Sequence, residues 1–119
     1  MTPAASSPIS VRFTPEFKRN LHTLAKKYRH IRADVQPVIE QLQAGNLPGA
    51  RVPGVGVPIF KVRVRNRDAV KGKSGGYRLL YYLQTTTEVI LVTLYSKSEQ
   101  SDISAADIHD ILRQYNHET

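Results

Sequence analysis

The chain has 119 residues, of which 40% are hydrophobic, and this is enough for one packed domain but too little for two. It contains no cysteine, so disulfides, thiolate metal sites and thiol nucleophiles are excluded. No apolar run reaches the ~18 residues that a bilayer-spanning helix needs, and the N-terminus lacks a signal-peptide pattern. We therefore expect a flexible tail at 1–8, a single domain at 9–117, a cytoplasmic location and no membrane partner.

The charge of the chain is positive and unevenly distributed. Its 17 lysines and arginines against 10 acidic residues give a net charge of +7. Residues 58–97 carry eight basic and two acidic side chains, whereas residues 98–119 carry one basic and five acidic ones. Such a concentration of positive charge in the middle of a small domain predicts a polyanionic partner and favours a nucleic acid.

The first predicted elements are a short strand and two helices. Residues 9–13 alternate in polarity, and Thr14 and Pro15 then supply a helix cap and a first-turn proline. One apolar stripe marks the first helix: Phe17, Leu21, Leu24, Ala25 and Tyr28. A second stripe, closed by Gly45, consists of Val35, Val38, Ile39 and Leu42. Because Pro37 has no amide hydrogen to donate, we expect the second helix to begin within a few residues of Ala33 or Asp34.

The second half of the chain predicts three strands and a last helix. Residues 45–58 are rich in glycine and proline and predict an irregular connection. From Ile59 the apolar period is two, and further strands follow at 77–84 and 88–97, which predicts an antiparallel meander. The run 89–94 is apolar on both faces, as in a covered central strand. Ser104 with Asp107 then caps a helix.

The order of predicted elements is therefore β-α-α-β-β-β-α. It indicates an α+β domain in which a small antiparallel sheet has the two N-terminal helices packed on one face, followed by a C-terminal helix.

A dense basic cluster occupies residues 61–80, with seven cations against the single acid Asp68. Along the first strand of the meander, Lys61, Arg63 and Arg65 share one face at a spacing of ~6.6 Å, which suits an RNA backbone. A solvated strand face that discourages edge pairing is the structural alternative. The segment Gly72-Lys73-Ser74 is not a P-loop, because Arg67 stands where that motif needs a glycine.

Other chemistry is less evident in the sequence. Four tyrosines flank the basic cluster and either stack on bases or are buried in the sheet: Tyr77, Tyr81, Tyr82 and Tyr95. The four histidines show no metal-ligand spacing, so we interpret them as surface residues and expect no metal or other cofactor. Glu99 and Asp102 are the acids nearest the cluster, and each is either a general base or a turn residue.

Three segments of the chain carry a resemblance to a known family: residues 60–64 (FKVRV), 71–82 (KGKSGGYRLLYY) and 94–104 (LYSKSEQSDIS). With the helix order between residues 9 and 115, they resemble toxins of the RelE/ParE superfamily, and more narrowly the HigB-like branch of RelE toxins. The resemblance implies the RelE-like microbial ribonuclease fold. It also implies binding in the ribosomal A site, metal-independent cleavage of the mRNA there, and neutralisation by a cognate antitoxin.

The resemblance also implies roles for individual residues. Lys61 and Arg63 match the basic strand positions of the family, and the glycine-loop cations Lys71 and Lys73 would contact RNA backbone. The implied catalytic set is Arg78, Lys73, Lys97, Tyr95 and Glu99. The family arginine and tyrosine that follow the last strand are replaced here by Ser98 and Ser104, so the proton-transfer groups would differ, with Lys73, Lys97 and Glu99 as candidates for the base.

Two other functions stay open at the level of sequence. A ParE-like inhibitor of DNA gyrase would need the same fold but not the cation cluster. A non-catalytic basic RNA-binding module would keep the cations without the proton-transfer groups.

Overall fold

The computed structural model describes residues 9–69 and 76–118, with side chains to residue 116. The predicted tail at 1–8 and the glycine-loop cations Lys71 and Lys73 lie outside these residues. Within them, no helix combines the length and the apolar character that crossing a membrane requires.

The described residues form five strands and three helices, and they confirm the predicted α+β class. The helices are α1 (Pro15–Ala25), α2 (Ile31–Gln43) and α3 (Ala105–Glu118). The strands are β1 (Ser10–Phe13), β2 (Ala50–Arg51), β3 (Ile59–Val64), β4 (Tyr77–Thr85) and β5 (Glu88–Ser96). The two-residue strand β2 interrupts the segment that was predicted to be irregular.

The strands form one sheet in the order β1-β5-β4-β3-β2. The predicted antiparallel meander is confirmed for β3, β4 and β5, and β2 continues it at the edge. Strand β1 instead lies parallel to β5, so the sheet is mixed. The side chain of Thr14 joins this edge to α1, because its hydroxyl accepts a hydrogen bond from the Phe17 amide at 2.9 Å and donates one to the Val92 carbonyl at 2.7 Å.

The sheet separates two apolar clusters. One lies between the sheet and the α1–α2 pair and includes Phe17, Ile31 and Leu79. The other lies under α3 and includes Leu80, Val92 and Ile108. Strand β5 supplies buried side chains to both clusters, which confirms its prediction as a covered central strand. The two faces of the sheet are therefore covered by different helices.

The start of α2 lies within a few residues of Ala33, as expected from Pro37, although Pro37 itself lies inside the helix. The helix begins at Ile31 and Pro37 stands inside it, where its ring nitrogen donates no hydrogen bond. Residue Ala33 is exposed, so its carbonyl can be hydrated in place of the missing helical bond. Burial of Ile31 and Val35 thus stabilises the first turn of the helix, although Pro37 leaves one backbone hydrogen bond of the helix unmade.

Candidate nucleic-acid interface

Three side chains form a row across the meander on the face that α3 covers in part. Arg63 of β3 lies directly opposite Arg78 of β4, and Arg78 lies directly opposite Tyr95 of β5. Directly opposed residues of antiparallel strands project to the same face with Cβ atoms about 5 Å apart. The register therefore brings together two predicted cations and the predicted tyrosine, which are far apart in the chain.

Arg63 and Arg78 place like charges directly opposite each other, an arrangement that is unfavourable in a sheet. Arg63 is exposed, and within the described residues it has no acidic partner. Arg78 is half-buried and donates a hydrogen bond to the Tyr77 carbonyl at 3.2 Å. An anion that bridges the two guanidinium groups would relieve their repulsion.

A glycine sets the start of β4 and hence the position of Arg78. Gly76 has a φ of 56°, and a Cβ atom there would lie 2.4 Å from the Val64 carbonyl oxygen. Only glycine permits both this conformation and this close approach of β4 to the end of β3. The Gly76 carbonyl also accepts a hydrogen bond from the Lys97 amide at 2.9 Å, which fixes the end of β5 beside it.

Tyr95, the third member of the row, is buried rather than exposed. Its ring is 5% exposed and packs in the α3-side cluster, and its hydroxyl is buried without a hydrogen-bond partner among the described residues. Burial raises the pKa of Tyr95, the Asp102 carboxylate adds to this, and Arg78 opposes it. The hydroxyl is therefore protonated at neutral pH, and both the Asp102 carboxylate and Arg78 lie close enough to influence it.

Lys61 lies on the same face, two residues before Arg63, and it makes an ion pair with Asp102 at 3.2 Å. The hydrogen bond from the Ile103 amide and the neighbouring Lys61 ammonium hold the pKa of Asp102 below its usual range. This pair borders a groove of about 370 Å³ between the β2 edge and the start of α3, which Arg51 also lines. Asp102, rather than Glu99, is thus the acid that touches a predicted RNA-binding cation.

The remaining predicted residues lie around this row. Lys97 is exposed, and its ammonium donates to the Ser101 carbonyl at 2.6 Å. The Glu99 carboxylate is paired with Lys27, which follows α1, at 2.9 Å. Glu99 is therefore directed towards α1 and away from the Arg63–Arg78 row.

Arg65 follows the end of β3 and borders a groove of about 500 Å³ against α2. Two further pairs fix the segment after it: Arg67 with the nearly buried Asp34 at 2.8 Å, and Asp68 with His30 at 2.7 Å. The hydrogen bonds from His30 hold the pKa of Asp68 below its usual range. Among the flanking tyrosines, Tyr77 and Tyr81 are fully buried, and Tyr81 donates a hydrogen bond to the Pro48 carbonyl at 2.6 Å.

Two features of this site were not predicted from the sequence. The strand pattern placed Lys61, Arg63 and Arg65 on one face, but it carried no signal for the opposition of Arg63 and Arg78. Asp102 was named with Glu99 as either a general base or a turn residue, and its ion pair with Lys61 was not predicted.

No curated protein matches the chain. A family model does match residues 16–118, and its description is the RelE toxin of the RelE/RelB toxin–antitoxin system. The matched range includes α1 from its second residue, the other two helices and the four strands β2 to β5. The chain therefore belongs to the RelE toxin family and is the toxin of a toxin–antitoxin pair, with a cognate antitoxin as its partner.

Proposed function

We propose that this toxin is a ribosome-dependent, metal-independent endoribonuclease of the HigB-like branch, which stops translation by cutting mRNA in the ribosomal A site. The direct opposition of Arg63 and Arg78 carries the proposal, because two cations held against each other are suited to a shared phosphate. Toxins of the RelE family are generally ribonucleases, which supports a catalytic rather than a purely binding role.

The reaction that fits the site is attack by a ribose 2′-oxygen on the adjacent phosphorus. The bond from phosphorus to the 5′-oxygen of the next nucleotide breaks, leaving a cyclic phosphate on one fragment and a hydroxyl on the other. Such a reaction requires a base for the 2′-hydroxyl, an acid for the leaving oxygen and cations that stabilise the phosphorane. The side chains of the row can supply the last two.

In this proposal each residue has a distinct part. Arg78 and Arg63 stabilise the charge on the phosphorane, and Lys61, Arg65, Lys71 and Lys73 contact phosphates on either side. The protonated Tyr95 hydroxyl is the donor to a group bound at Arg78. Lys97, Lys73 and Glu99 are the candidates for the base. Glu99 is the least favoured of the three, because Lys27 holds its carboxylate.

Toeprinting of a message under translation tests the proposal. The purified toxin should produce cuts positioned on codons in the presence of ribosomes, and the cognate antitoxin should abolish them. An intact message in active ribosomes would contradict the nuclease. If DNA breaks that depend on gyrase then accompanied growth arrest, the ParE-like alternative would replace it, and tight RNA binding without cuts would indicate the non-catalytic module.

A further inference from the structure

A groove between α2 and the end of β3 carries three arginines. It has a volume of about 500 Å³, and the cations that line it are Arg63, Arg65 and Arg67. Strand β2 pairs with β3 only at Phe60 and Lys61, so among the described residues no strand borders the outer edge of β3 at the groove. Arg63 also belongs to the row of the proposed cleavage site, whereas Arg67 does not. The groove therefore adjoins that site and has side chains of its own.

A nearly buried carboxylate holds Arg67 in place. The Asp34 side chain is 4% exposed, and it accepts hydrogen bonds from the Arg67 Nε atom at 2.8 Å and from the Arg67 amide at 3.1 Å. A guanidinium that is bonded through Nε keeps most of its N–H donors for a second anion. Arg63 and Arg65 have no acidic partner within the part of the chain that the structure describes. The groove thus presents oriented cations that the fold does not neutralise.

The α2 side of the groove supplies a hydrogen-bond acceptor. Ala33 and Pro37 both line the groove. A helical carbonyl accepts from the amide four positions later, and Pro37 has no amide hydrogen to offer to Ala33. The Ala33 carbonyl is therefore left without its helical donor, in a residue that lines the groove. A ligand with an N–H or O–H group of its own would satisfy this acceptor.

We propose that this groove binds a free nucleoside diphosphate. Its phosphates contact the guanidinium groups, because arginine forms charge-assisted bonds that match phosphate oxygens. Its ribose or base donates a hydrogen bond to the Ala33 carbonyl, and the flat face of the base packs on the Pro37 ring. Inorganic phosphate would engage the arginines alone and leave this carbonyl unsatisfied. The volume of the groove lies within the range of sites for small ligands.

The position of Arg63 indicates that the ligand is a separate molecule and not the RNA being cut. Arg63 lines the groove and also stands opposite Arg78 in the row. A nucleotide in the groove and an RNA phosphate at the row therefore compete for one guanidinium. Occupation of the groove reduces cleavage as a result. This regulatory consequence rests on the proposed function, whereas the binding of the nucleotide does not.

The first test compares two arginines in matched surroundings. Arg67 and Arg12 each form an ion pair with an acid, and their side chains are 56% and 55% exposed. Arg12 lies in β1, at the edge of the sheet away from the groove. ADP is titrated into the full chain by calorimetry. R67Q should weaken binding by about tenfold or more, whereas R12Q should change it by less than about twofold.

The second test blocks the groove without changing its charge. Ala33 is exposed on α2, so A33W places a bulky side chain in the groove. Gln36 is exposed on the same helix but does not line the groove, which makes Q36W the control. A33W should weaken ADP binding by about tenfold or more, and Q36W should leave it unchanged. Thermal unfolding of both variants should match that of the parent, because both positions are on the surface.

Pyrophosphate and adenosine separate the two parts of the ligand. Each should bind at least about tenfold more weakly than ADP, because each makes only some of the contacts. Pyrophosphate that bound as tightly as ADP would overturn the inference, since the nucleoside would contribute nothing. Equal losses in R67Q and R12Q would also overturn it, because net charge alone would then explain binding. Undiminished binding by A33W would place the ligand elsewhere.

Cleavage on programmed ribosomes distinguishes this inference from the proposed function. ADP should slow cleavage by the parent, whereas R67Q should cut at the rate of the parent and resist ADP. A toxin that binds ADP but cuts no message would count against the proposed function alone. A toxin that cuts the message but binds no ADP would count against this inference alone.

Discussion

The face of the sheet under α1 and α2 differs from the face under α3 in the polar side chains that it carries. Under the two N-terminal helices, the strand residues that face inwards are apolar or are tyrosines sealed from water, as Tyr77, Leu79 and Tyr81 are. Under α3, the same strands present Arg63 and Arg78 next to the buried hydroxyl of Tyr95. Alternate residues of one strand thus face the packed core and the proposed cleavage site, and neighbouring positions make matched tests.

The largest expected difference is between Arg78 and its neighbour Leu79, which point to opposite faces. We expect Arg78→Ala to reduce ribosome-dependent cleavage by a factor of about 100 or more, because one stabilising group at the transition state is lost. Its thermal unfolding should stay close to that of the parent. Leu79 is fully buried, so Leu79→Ala should lower the free energy of unfolding by about 2–5 kcal/mol. Undiminished cleavage by a folded R78A protein would remove Arg78 from the mechanism.

The tyrosines Tyr95 and Tyr77 provide a second matched pair, since both hydroxyls are buried without a hydrogen-bond partner among the described residues. Replacement by phenylalanine removes an unsatisfied polar group in each case, so both variants should be at least as stable as the parent, by up to about 1 kcal/mol. Tyr95→Phe should slow single-turnover cleavage by a factor of about 10 or more, whereas Tyr77→Phe should not. Equal rates in the two variants would exclude the Tyr95 hydroxyl as the proton donor.

Alkaline pH tests how completely the α1–α2 face is sealed. Burial raises the pKa of Tyr81 from 10.0 to about 12, so the folded state keeps a proton that the unfolded chain loses. The associated stability is complete below about pH 10 and declines as the pH rises towards 12. At neutral pH, Tyr81→Phe should lower the free energy of unfolding by about 1 kcal/mol, because the hydrogen bond to Pro48 is lost. Above pH 10, the free energy of unfolding of the variant should decline less than that of the parent.

Denaturant unfolding at a series of pH values measures this effect. Tyr82→Phe is the control, because the Tyr82 side chain is only half-buried. A Y81F protein with the same alkaline decline as the parent would show that Tyr81 does not titrate as its burial implies.

The smallest effect is expected at Glu99. Because its carboxylate is paired with Lys27 on the helical side, Glu99→Gln should leave cleavage within about threefold of the parent and should not shift the unfolding midpoint measurably. The Glu99 carboxylate raises the pKa of Lys27, with Tyr28 adding to it, so the shift should become smaller in the variant. A loss of cleavage similar to that of R78A would instead identify Glu99 as the general base.

Local patterns in the sequence predicted much of this molecule. The caps at Thr14 and Ser104 are confirmed by hydrogen bonds to Phe17 and Asp107, and the alternation of β3 correctly divided its faces. The parallel pairing of β1 with β5 could not be predicted, because its partners are distant in the chain and β1 has no turn that sets a register. The opposition of Arg63 and Arg78 could not be predicted either, since the twelve residues between their strands are more than the short hairpin turns that fix an alignment.

The parallel pairing of β1 with β5 has a consequence for synthesis of the toxin. The bond from Thr14 to Val92 spans 78 positions of the chain, so the first strand has no partner until the last strand has emerged from the ribosome. Closure of so long a loop places completion of the sheet late in folding, when nearly the whole chain has been synthesised.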